Sequence, residues 1–324
     1  MCTAIYYQTG NNYFGRNLDL EYHYNETITV MPRNYPLKFR REKNIKTHFA
    51  LIGMATVSEG YPLYYDATNE YGLSMAGLNF PGNAIYYSYC PERNNIAPFE
   101  LIPWVLSRCK NTTEARELLY KVNILNVPFS DKFPLTPLHW IIADENCCIV
   151  VEPLSDGLHI YDNPVRILTN SPPFPYHLQN LCNYRGLSPA NGNNSFTDRI
   201  DLPPYSNGLG TFGLPGDFSS ASRFVRAAFV LHNSPKDPDL KSSISQHFHI
   251  LDSVAQKKGC NKVDGKDEIT VYSSCCDTTR GIYYYTTYQN RQICAVDMNR
   301  EDLDESSLVT YRLETTQNIL LQNE

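Results

Sequence analysis

Residues 1–20 read MCTAIYYQTGNNYFGRNLDL, and this stretch decides how the chain begins to fold. Two β-prone segments, Cys2–Gln8 and Tyr13–Leu20, flank the turn-forming residues Thr9–Asn12. Such a pattern is typical of a β-hairpin, in which the second strand returns along the first. The sequence therefore predicts an N-terminal hairpin with a cysteine at its open end.

Cys2 becomes the first residue when Met1 is removed, and it then carries both a thiol and a free α-amine. The unperturbed pKa of an α-amine is about 7.7–8.0 and that of a thiol about 8.5. These groups can exchange a proton near neutral pH at little cost, and a nucleophile served by its own amine is an established catalytic arrangement. The alternative is a small apolar residue in a buried strand, since free cysteine is often buried.

Arg16 and Asp19 lie in the segment Gly15–Asp19, which the hairpin returns to the neighbourhood of Cys2. An arginine beside a thiol favours the thiolate. A carboxylate beside the α-amine can accept a hydrogen bond and orient it. The alternative for this segment is a solvated strand end.

Asn79 and Asn170 each follow an apolar run and stand just before a proline turn, at 75–82 and 168–172. Turns favour asparagine for conformational reasons alone. Amide donors aimed at a developing oxyanion are the functional interpretation, and one such donor contributes about 2.7–4 kcal/mol. Arg223 lies near the start of a predicted helix, where a cation opposes the helix dipole. Its position indicates either surface charge or a role elsewhere.

Composition excludes several classes of protein. The 324 residues carry a net charge of −6 and 19% charged residues, so the basic footprint of a nucleic-acid-binding protein is missing. No apolar run approaches the roughly 20 residues that span a bilayer. The N-terminus lacks the basic and apolar regions of a signal peptide, and the ten cysteines contain no C-x-x-C pair. We therefore expect a cytoplasmic protein without metal, cofactor, nucleic-acid or membrane partner.

Strands and helices alternate in blocks along the chain, which predicts an α+β protein with largely antiparallel sheets. We expect a single domain, 1–324, in which a Gly-, Pro-, Asn- and Ser-rich loop makes an excursion at about 186–217. A pair of sheets covered by helices on both outer faces fits this order. The predicted helices are Pro98–Cys109, Thr112–Val122, Tyr176–Tyr184, Ser220–His232 and Leu240–Lys258.

Five motifs in a fixed order resemble the choloylglycine hydrolase family, which contains bile salt hydrolases and penicillin V acylases. The motifs are Met-Cys-Thr at the start, G-R-N-L-D, M-A-G-L-N-F-P-G, T-N-S-P and P-G-D-x-S-S-x-S-R-F-V-R. The resemblance spans nearly the whole chain. It implies an N-terminal nucleophile hydrolase, a four-layer αββα sandwich that cleaves non-peptide amides and usually forms a homotetramer.

The resemblance also implies a role for each candidate residue. By position, the set is Cys2 as nucleophile with its amine as base, Arg16 as support for the thiolate, Asp19 as the group that holds the amine, Asn79 and Asn170 as the oxyanion hole, and Arg223 as the completion of the polar network. Asn79 favours the bile salt branch, because penicillin acylases tend to have tyrosine there. Ser171 departs from the second asparagine of many relatives, and we expect this to be tolerated.

The expected activity is hydrolysis of the amide that joins a bile acid to glycine or taurine. Loops after Met31, after Tyr61 and around Asn126–Phe133 are the predicted walls of an apolar pocket for the steroid. Hydrolysis of penicillin V or of an N-acyl homoserine lactone is the alternative within the family. A non-catalytic ligand-binding protein and an amidotransferase are alternatives outside it. The sequence does not distinguish glycine from taurine conjugates.

Overall fold

Two antiparallel sheets lie face to face in the computed structural model, which describes residues 1–323. The strands are β1 (Cys2–Gln8), β2 (Asn12–Leu20), β3 (Thr27–Met31), β4 (Leu51–Ser58), β5 (Tyr61–Asn69), β6 (Ser74–Asn79), β7 (Asn94–Ile96), β8 (Val122–Ile124), β9 (Leu138–Ala143), β10 (Cys148–Leu154), β11 (Gly157–Asp162), β12 (Ile167–Leu168), β13 (Lys262–Val263), β14 (Lys266–Asp267), β15 (Ile269–Asp277), β16 (Ile282–Thr287), β17 (Cys294–Asp297) and β18 (Val309–Arg312). The helices are α1 (Leu101–Leu106), α2 (Thr112–Leu119), α3 (Phe174–Leu181), α4 (Ser220–Asn233) and α5 (Leu240–Asp252). Short 3₁₀ helices lie at Pro98–Glu100, Cys182–Tyr184, Leu209–Thr211 and Met298–Arg300.

The two large sheets and the helices form four layers. One sheet has the order β12-β1-β2-β15-β16-β17 and the other β11-β10-β9-β6-β5-β4-β3-β18. Helices α4 and α5 pack on the first sheet, and α1 and α2 contribute to a second apolar cluster on the outer face of the other. The predicted αββα sandwich with antiparallel sheets is confirmed.

The N-terminal hairpin predicted from residues 1–20 is present as β1 and β2, with Cys2 opposite Leu18 and Ala4 opposite Arg16. Successive side chains of a strand point to opposite faces of the sheet. Arg16 therefore faces the second sheet, whereas Asp19 faces the helix layer. One short strand thus delivers a guanidinium and a carboxyl to opposite faces near the chain end.

Three of the five predicted helices are clearly shorter in the structure, whereas Ser220–His232 is observed as Ser220–Asn233. The segment Pro98–Cys109 begins with a 3₁₀ turn and is α-helical only over Leu101–Leu106. The helix predicted over Thr112–Val122 ends at Leu119, because Val122 starts β8 and pairs with β7. The last predicted helix, Leu240–Lys258, ends at Asp252.

Some short elements carry no clear sequence signal. Strands β7 and β8 form a small parallel pair, and β18 adds an edge strand beside β3. The segment between Tyr184 and α4 has one 3₁₀ turn and is otherwise irregular over its described residues, as the loop at about 186–217 was expected to be. Within residues 1–323, no helix has the length and apolar character to cross a membrane.

Candidate active site

Cys2 opens β1 and is almost fully buried. Its backbone N–H donates to Asn170 Oδ1 at 2.8 Å, and its carbonyl oxygen accepts from Arg223 Nη1 at 2.5 Å. Both partners are more than 160 residues away in sequence. The backbone of the candidate nucleophile is therefore held by side chains of the β12–α3 connection and of α4.

Arg223 is fully buried and uses its guanidinium to join several parts of the site. Nη2 donates to Asn170 Oδ1 at 2.7 Å, Nη1 to Thr3 Oγ1 at 2.6 Å, and Nε to the Phe218 carbonyl at 3.0 Å. Burial lowers the pKa of this arginine, and the nearby Asp19 opposes that shift. Its position in the first turn of α4 is thus explained by contacts with the chain start and not by surface charge.

Asp19 lies beside Arg223 and beside the N-terminus. Its Oδ2 is 4.0 Å from Arg223 Nη1, and its Oδ1 accepts from Thr270 Oγ1 at 2.6 Å across the β2–β15 pair. The α-ammonium of Met1 donates to the Asp19 carbonyl at 2.8 Å. Burial raises the pKa of the Asp19 carboxyl to about 6, although the chain amine and Arg223 favour its charged form.

Arg16 is completely buried and lines the same cavity as Cys2. Its Nη1 donates to the carbonyls of Tyr65 at 3.0 Å and Gly77 at 2.6 Å, both on the facing sheet. Burial alone would lower the pKa of this guanidinium, but the acidic groups around it, Cys2 first among them, raise it above its ordinary value. A fixed positive charge therefore stands beside the thiol.

Asn170 and Asn79 are directly connected. Asn170 Nδ2 donates to the Asn79 carbonyl at 2.7 Å, and the Asn170 backbone N–H donates to Ser220 Oγ at 2.9 Å. Asn79 lines the cavity together with Cys2. Its Oδ1 is buried and has no hydrogen-bond partner among the described residues. The Asn79 amide can therefore still form hydrogen bonds inside the cavity.

Glu268 belongs to this cluster, although the sequence patterns did not indicate it. Its buried carboxylate accepts a hydrogen bond from the Met1 α-ammonium and another from Asn261 Nδ2. The residue precedes β15 and reaches the chain start only because β15 pairs with β2, with Thr270 opposite Asp19. Sequence alone could have found it only from that register.

The cavity at Cys2 has a volume of about 400 Å³ and a mainly apolar, aromatic wall. The loop predicted around Asn126–Phe133 contributes to it, so that prediction is confirmed. The segment after Tyr61 also contributes, but as strand β5 and not as a loop. The loop after Met31 does not line the cavity, and that prediction was wrong. Aromatic lining residues include Tyr22, Tyr24, Tyr65, Phe99, Phe129, Phe133 and Trp140.

Comparison with known proteins agrees with this geometry. The family model for linear amide C–N hydrolases, choloylglycine hydrolase family, matches residues 2–311. The chain belongs to the choloylglycine hydrolase family. Within this family it is 54% identical to a bile salt hydrolase/transferase from Lactiplantibacillus plantarum, over 97% of each chain. It is 39% identical to a bile salt hydrolase/transferase from Clostridium perfringens, over 98% of this chain and 99% of the relative.

Solved structures show the same relationship. A variant of conjugated bile acid hydrolase from Clostridium perfringens superimposes with a TM-score of 0.92 at 38% identity, covering 99% of this chain and all of the other. Penicillin V acylase from Agrobacterium tumefaciens has a TM-score of 0.75 at 20% identity, over 95% of this chain and 90% of that one, and shows the shared fold. The choloylglycine hydrolase sandwich therefore extends over almost the whole chain.

The structure brings all six sequence-predicted residues together around Cys2 and its cavity. Asn170 and Arg223 hydrogen-bond to Cys2, Asp19 lies against Arg223, and Arg16 and Asn79 line the cavity with Cys2. Such a cluster offers a nucleophile, buried counter-charges and amide groups beside an apolar chamber. These are the groups that transfer of an apolar acyl group to a nucleophile requires.

Proposed function

We propose that the chain hydrolyses the amide bond of bile salts conjugated to glycine or taurine, through a thioester on Cys2. The observation that carries this proposal is the apolar cavity that opens directly at Cys2, in a chain so similar to bile salt hydrolases. Its volume of about 400 Å³ lies within the range of small-molecule sites, roughly 300–1,000 Å³. The rigid apolar steroid would occupy the aromatic wall, and the amide would lie at the thiol.

In the proposed first step, removal of Met1 frees the Cys2 α-amine, which accepts the thiol proton. The Cys2 sulfur attacks the amide carbonyl carbon, and the carbonyl oxygen becomes an oxyanion that amide N–H groups of Asn79 and Asn170 would stabilise. The α-ammonium then returns its proton to the departing nitrogen as the C–N bond breaks. Glycine or taurine leaves, and the bile acid remains as a thioester.

In the proposed second step, the free α-amine accepts a proton from water as the water oxygen attacks the thioester carbonyl. The C–S bond breaks, the sulfur recovers a proton, and the bile acid departs. Asp19 would hold the amine in place through both steps, and Arg223 would complete the polar network by holding the Cys2 carbonyl oxygen. Arg16, at the opposite face of β2, would stabilise the negative sulfur.

A comparative assay tests this proposal on protein whose N-terminus has been verified by intact mass. Glycocholate, taurocholate and penicillin V are supplied side by side, and release of the amine is followed. We expect both bile salts to be cleaved with a higher kcat/KM than penicillin V. A strong preference for penicillin V would overturn the substrate assignment.

Cys2→Ser is the matched negative variant for this assay, and Cys182→Ser, at an exposed position, is its control. We expect Cys2→Ser to retain the fold and lose more than a hundredfold in kcat/KM, about 2.7 kcal/mol in barrier. The control should retain its activity within twofold. Residual Cys2→Ser activity within tenfold of the unsubstituted protein would contradict the nucleophile assignment.

We also propose that the protein works in the cytoplasm as a homotetramer. The ten cysteines are all free, which suits a reducing compartment. Apolar side chains on the irregular segment before α4 are strongly exposed in the single chain, with Phe196, Tyr205 and Phe212 each more than 80% accessible. Contiguous exposed apolar surface marks protein interfaces, and we propose that these side chains lie at a contact between subunits.

A further inference from the structure

A buried histidine and a buried glutamate lie behind the two candidate oxyanion amides. His139 on β9 and Glu152 on β10 are completely inaccessible to solvent. His139 Nδ1 lies 3.0 Å from Glu152 Oε1, and His139 Nε2 lies 2.9 Å from the Thr169 carbonyl oxygen. Neither side chain has a part in the acyl-transfer steps above.

Both ring nitrogens of His139 are held by buried partners. A carbonyl oxygen only accepts, so Nε2 carries a proton toward Thr169. Nδ1 shares a hydrogen bond with Glu152 Oε1, and the Glu152 carboxyl also accepts from the Phe174 backbone N–H at 3.1 Å. The ring of Phe80 stacks on the imidazole, with the ring centroids 4.2 Å apart and the ring planes 7° from parallel. The imidazole is therefore fixed on two edges and one face.

His139 thereby contacts both segments that carry the amides. The Thr169 carbonyl precedes Asn170, and the stacked Phe80 follows Asn79. His177 on α3 also lies behind Asn170, with Nε2 donating to the Asn170 carbonyl at 3.0 Å. Its Nδ1 has no hydrogen-bond partner among the described residues, and burial lowers its pKa, which favours the neutral ring.

We propose that His139, paired with Glu152, is a positioning residue that fixes Asn79 and Asn170 relative to each other for oxyanion stabilisation. This inference rests on the proposed function of those amides. A change of about 1 Å in such a site can cost on the order of a hundredfold in rate. The other titratable groups that face the pair are His177 from α3 and Tyr161 from β11.

The test compares His139→Gln with His48→Gln. His48 is also a buried histidine with both ring nitrogens held, but its partners are the carbonyl oxygens of Phe49 at 2.7 Å and Tyr35 at 2.8 Å, which belong to neither segment that carries the amides. We measure kcat and KM on the amide that the unsubstituted protein cleaves best, and the rate at which iodoacetamide alkylates Cys2. Alkylation forms no oxyanion, so it reports the nucleophile alone.

We expect His139→Gln to lower kcat tenfold to a hundredfold, with KM and the Cys2 alkylation rate unchanged within twofold. His48→Gln should change none of the three. Glu152→Gln should keep kcat within threefold of the unsubstituted value, because the glutamine amide can donate to His139 Nδ1 and accept from the Phe174 N–H. Glu152→Ala can do neither, and its kcat should fall as in His139→Gln. If His139→Gln does not fold, Phe80→Leu removes only the stacked ring and should show the same pattern with at least a threefold loss.

An unchanged kcat in whichever of His139→Gln and Phe80→Leu folds would overturn the inference. A parallel loss of kcat and Cys2 alkylation would also overturn it, since the pair would then support the fold and not the amides. The proposed function has a separate readout, because it fails only if the unsubstituted protein does not cleave conjugated bile salts. The role of His139 is decided by the ratio of the variant kcat to the unsubstituted kcat, whichever amide the protein cleaves best.

Discussion

Residues from four parts of the chain hold the backbone of Cys2 and the amine that precedes it. Asn170 and Arg223 contact its N–H and carbonyl, while Asp19 and Glu268 contact the preceding amine. The Met1 α-ammonium meets the backbone carbonyl oxygen of Asp19 and the side-chain carboxylate of Glu268. The site is therefore built to hold a charged chain end in a buried position, which is costly unless counter-charges are present.

We expect Asp19 to make the activity depend on pH in a defined direction. Burial raises the pKa of its carboxyl to about 6, so the group is ionised above that pH and neutral below it. A neutral Asp19 no longer balances Arg223 and the α-ammonium. We expect kcat/KM to fall as the pH decreases through about 6, and the pH profile of Asp19→Asn to be lower and to lack this step.

The pH profile of kcat/KM on a conjugated bile salt, between pH 4 and 8, measures this effect. Asp264→Asn is the control, because Asp264 is an exposed acidic residue on the β13–β14 turn. It should reproduce the unsubstituted profile. Carboxyl groups ordinarily titrate near pH 4. If kcat/KM of the unsubstituted protein fell only near pH 4, the role given to Asp19 would be contradicted.

Residues that act through a local motif could be predicted, and those that depend on register could not. Arg16 and Asp19 follow from the hairpin, because a two-strand turn has few possible registers. Glu268 and His139 reach the site through pairings across whole sheets, with Thr270 opposite Asp19 and Leu78 opposite His139. A single sequence contains no local signal for such pairings, so these residues carried no prediction.

At the level of elements, the position of Arg16 depends on how closely β2 approaches β15 and α5. Gly15 has no room for a side chain, since an added Cβ would collide with the Ser274 carbonyl and lie 2.7 Å from His247 Nε2. Gly15→Ala should therefore push the strand away and destabilise the fold by about 1–3 kcal/mol, the usual cost of overpacking. Activity should fall as well, because Arg16 is the next residue.

Urea denaturation and kcat/KM measure the two effects of Gly15→Ala. Gly192→Ala is the control, because an added Cβ there meets nothing within 4 Å. We expect the control to be neutral within 0.5 kcal/mol, which is usual for surface substitutions. A Gly15→Ala protein with unsubstituted stability would show that the strand can shift freely, contrary to the packing described here.

Element types could be predicted better than element ends. The helix predicted to Lys258 stops at Asp252, although the apolar pattern continues through Val254 and Ala255. These two residues are buried outside the helix, because the Gln256 backbone N–H donates to Thr270 Oγ1 at 2.7 Å and the chain turns toward β15. Tertiary contacts of this kind override local periodicity.

Stability of the whole molecule should decrease in mild acid because of His247. Burial lowers the pKa of this histidine to about 3, whereas an unfolded histidine titrates near 6.5. Above pH 6.5 both states are neutral. As the pH falls from 6.5 toward 3, the unfolded state binds a proton that the folded state does not, so stability is lost over this window. At pH 5 the loss from this one group is about 2 kcal/mol.

Urea midpoints at pH 7 and pH 5 measure this loss. The free energy of unfolding is obtained from the urea curve at each pH. His247→Gln should reduce the difference in this free energy between pH 7 and pH 5 by about 2 kcal/mol. His249→Gln is the control on the same helix, because His249 is exposed and should leave the difference unchanged. If both variants retain the full acid sensitivity, other groups must account for it.

The quaternary structure should cover the exposed apolar side chains before α4. Phe196, Tyr205 and Phe212 stand out from a single chain of 37.0 kDa. We expect sedimentation equilibrium to give a mass four times that of the chain, and a Tyr205→Ser/Phe212→Ser double variant to give smaller species. A single-chain mass for the unsubstituted protein would refute the tetramer.

We propose that one residue supplies both the attacking sulfur and its proton acceptor. A leucine inserted between Met1 and Cys2 keeps Met1 in place, so the thiol remains while its α-amine is blocked. Intact mass verifies both chains, and kcat/KM on glycocholate is compared between them. We expect kcat/KM of the blocked chain to fall more than a hundredfold, which corresponds to about 2.7 kcal/mol in barrier. Activity within tenfold of the processed chain would contradict it.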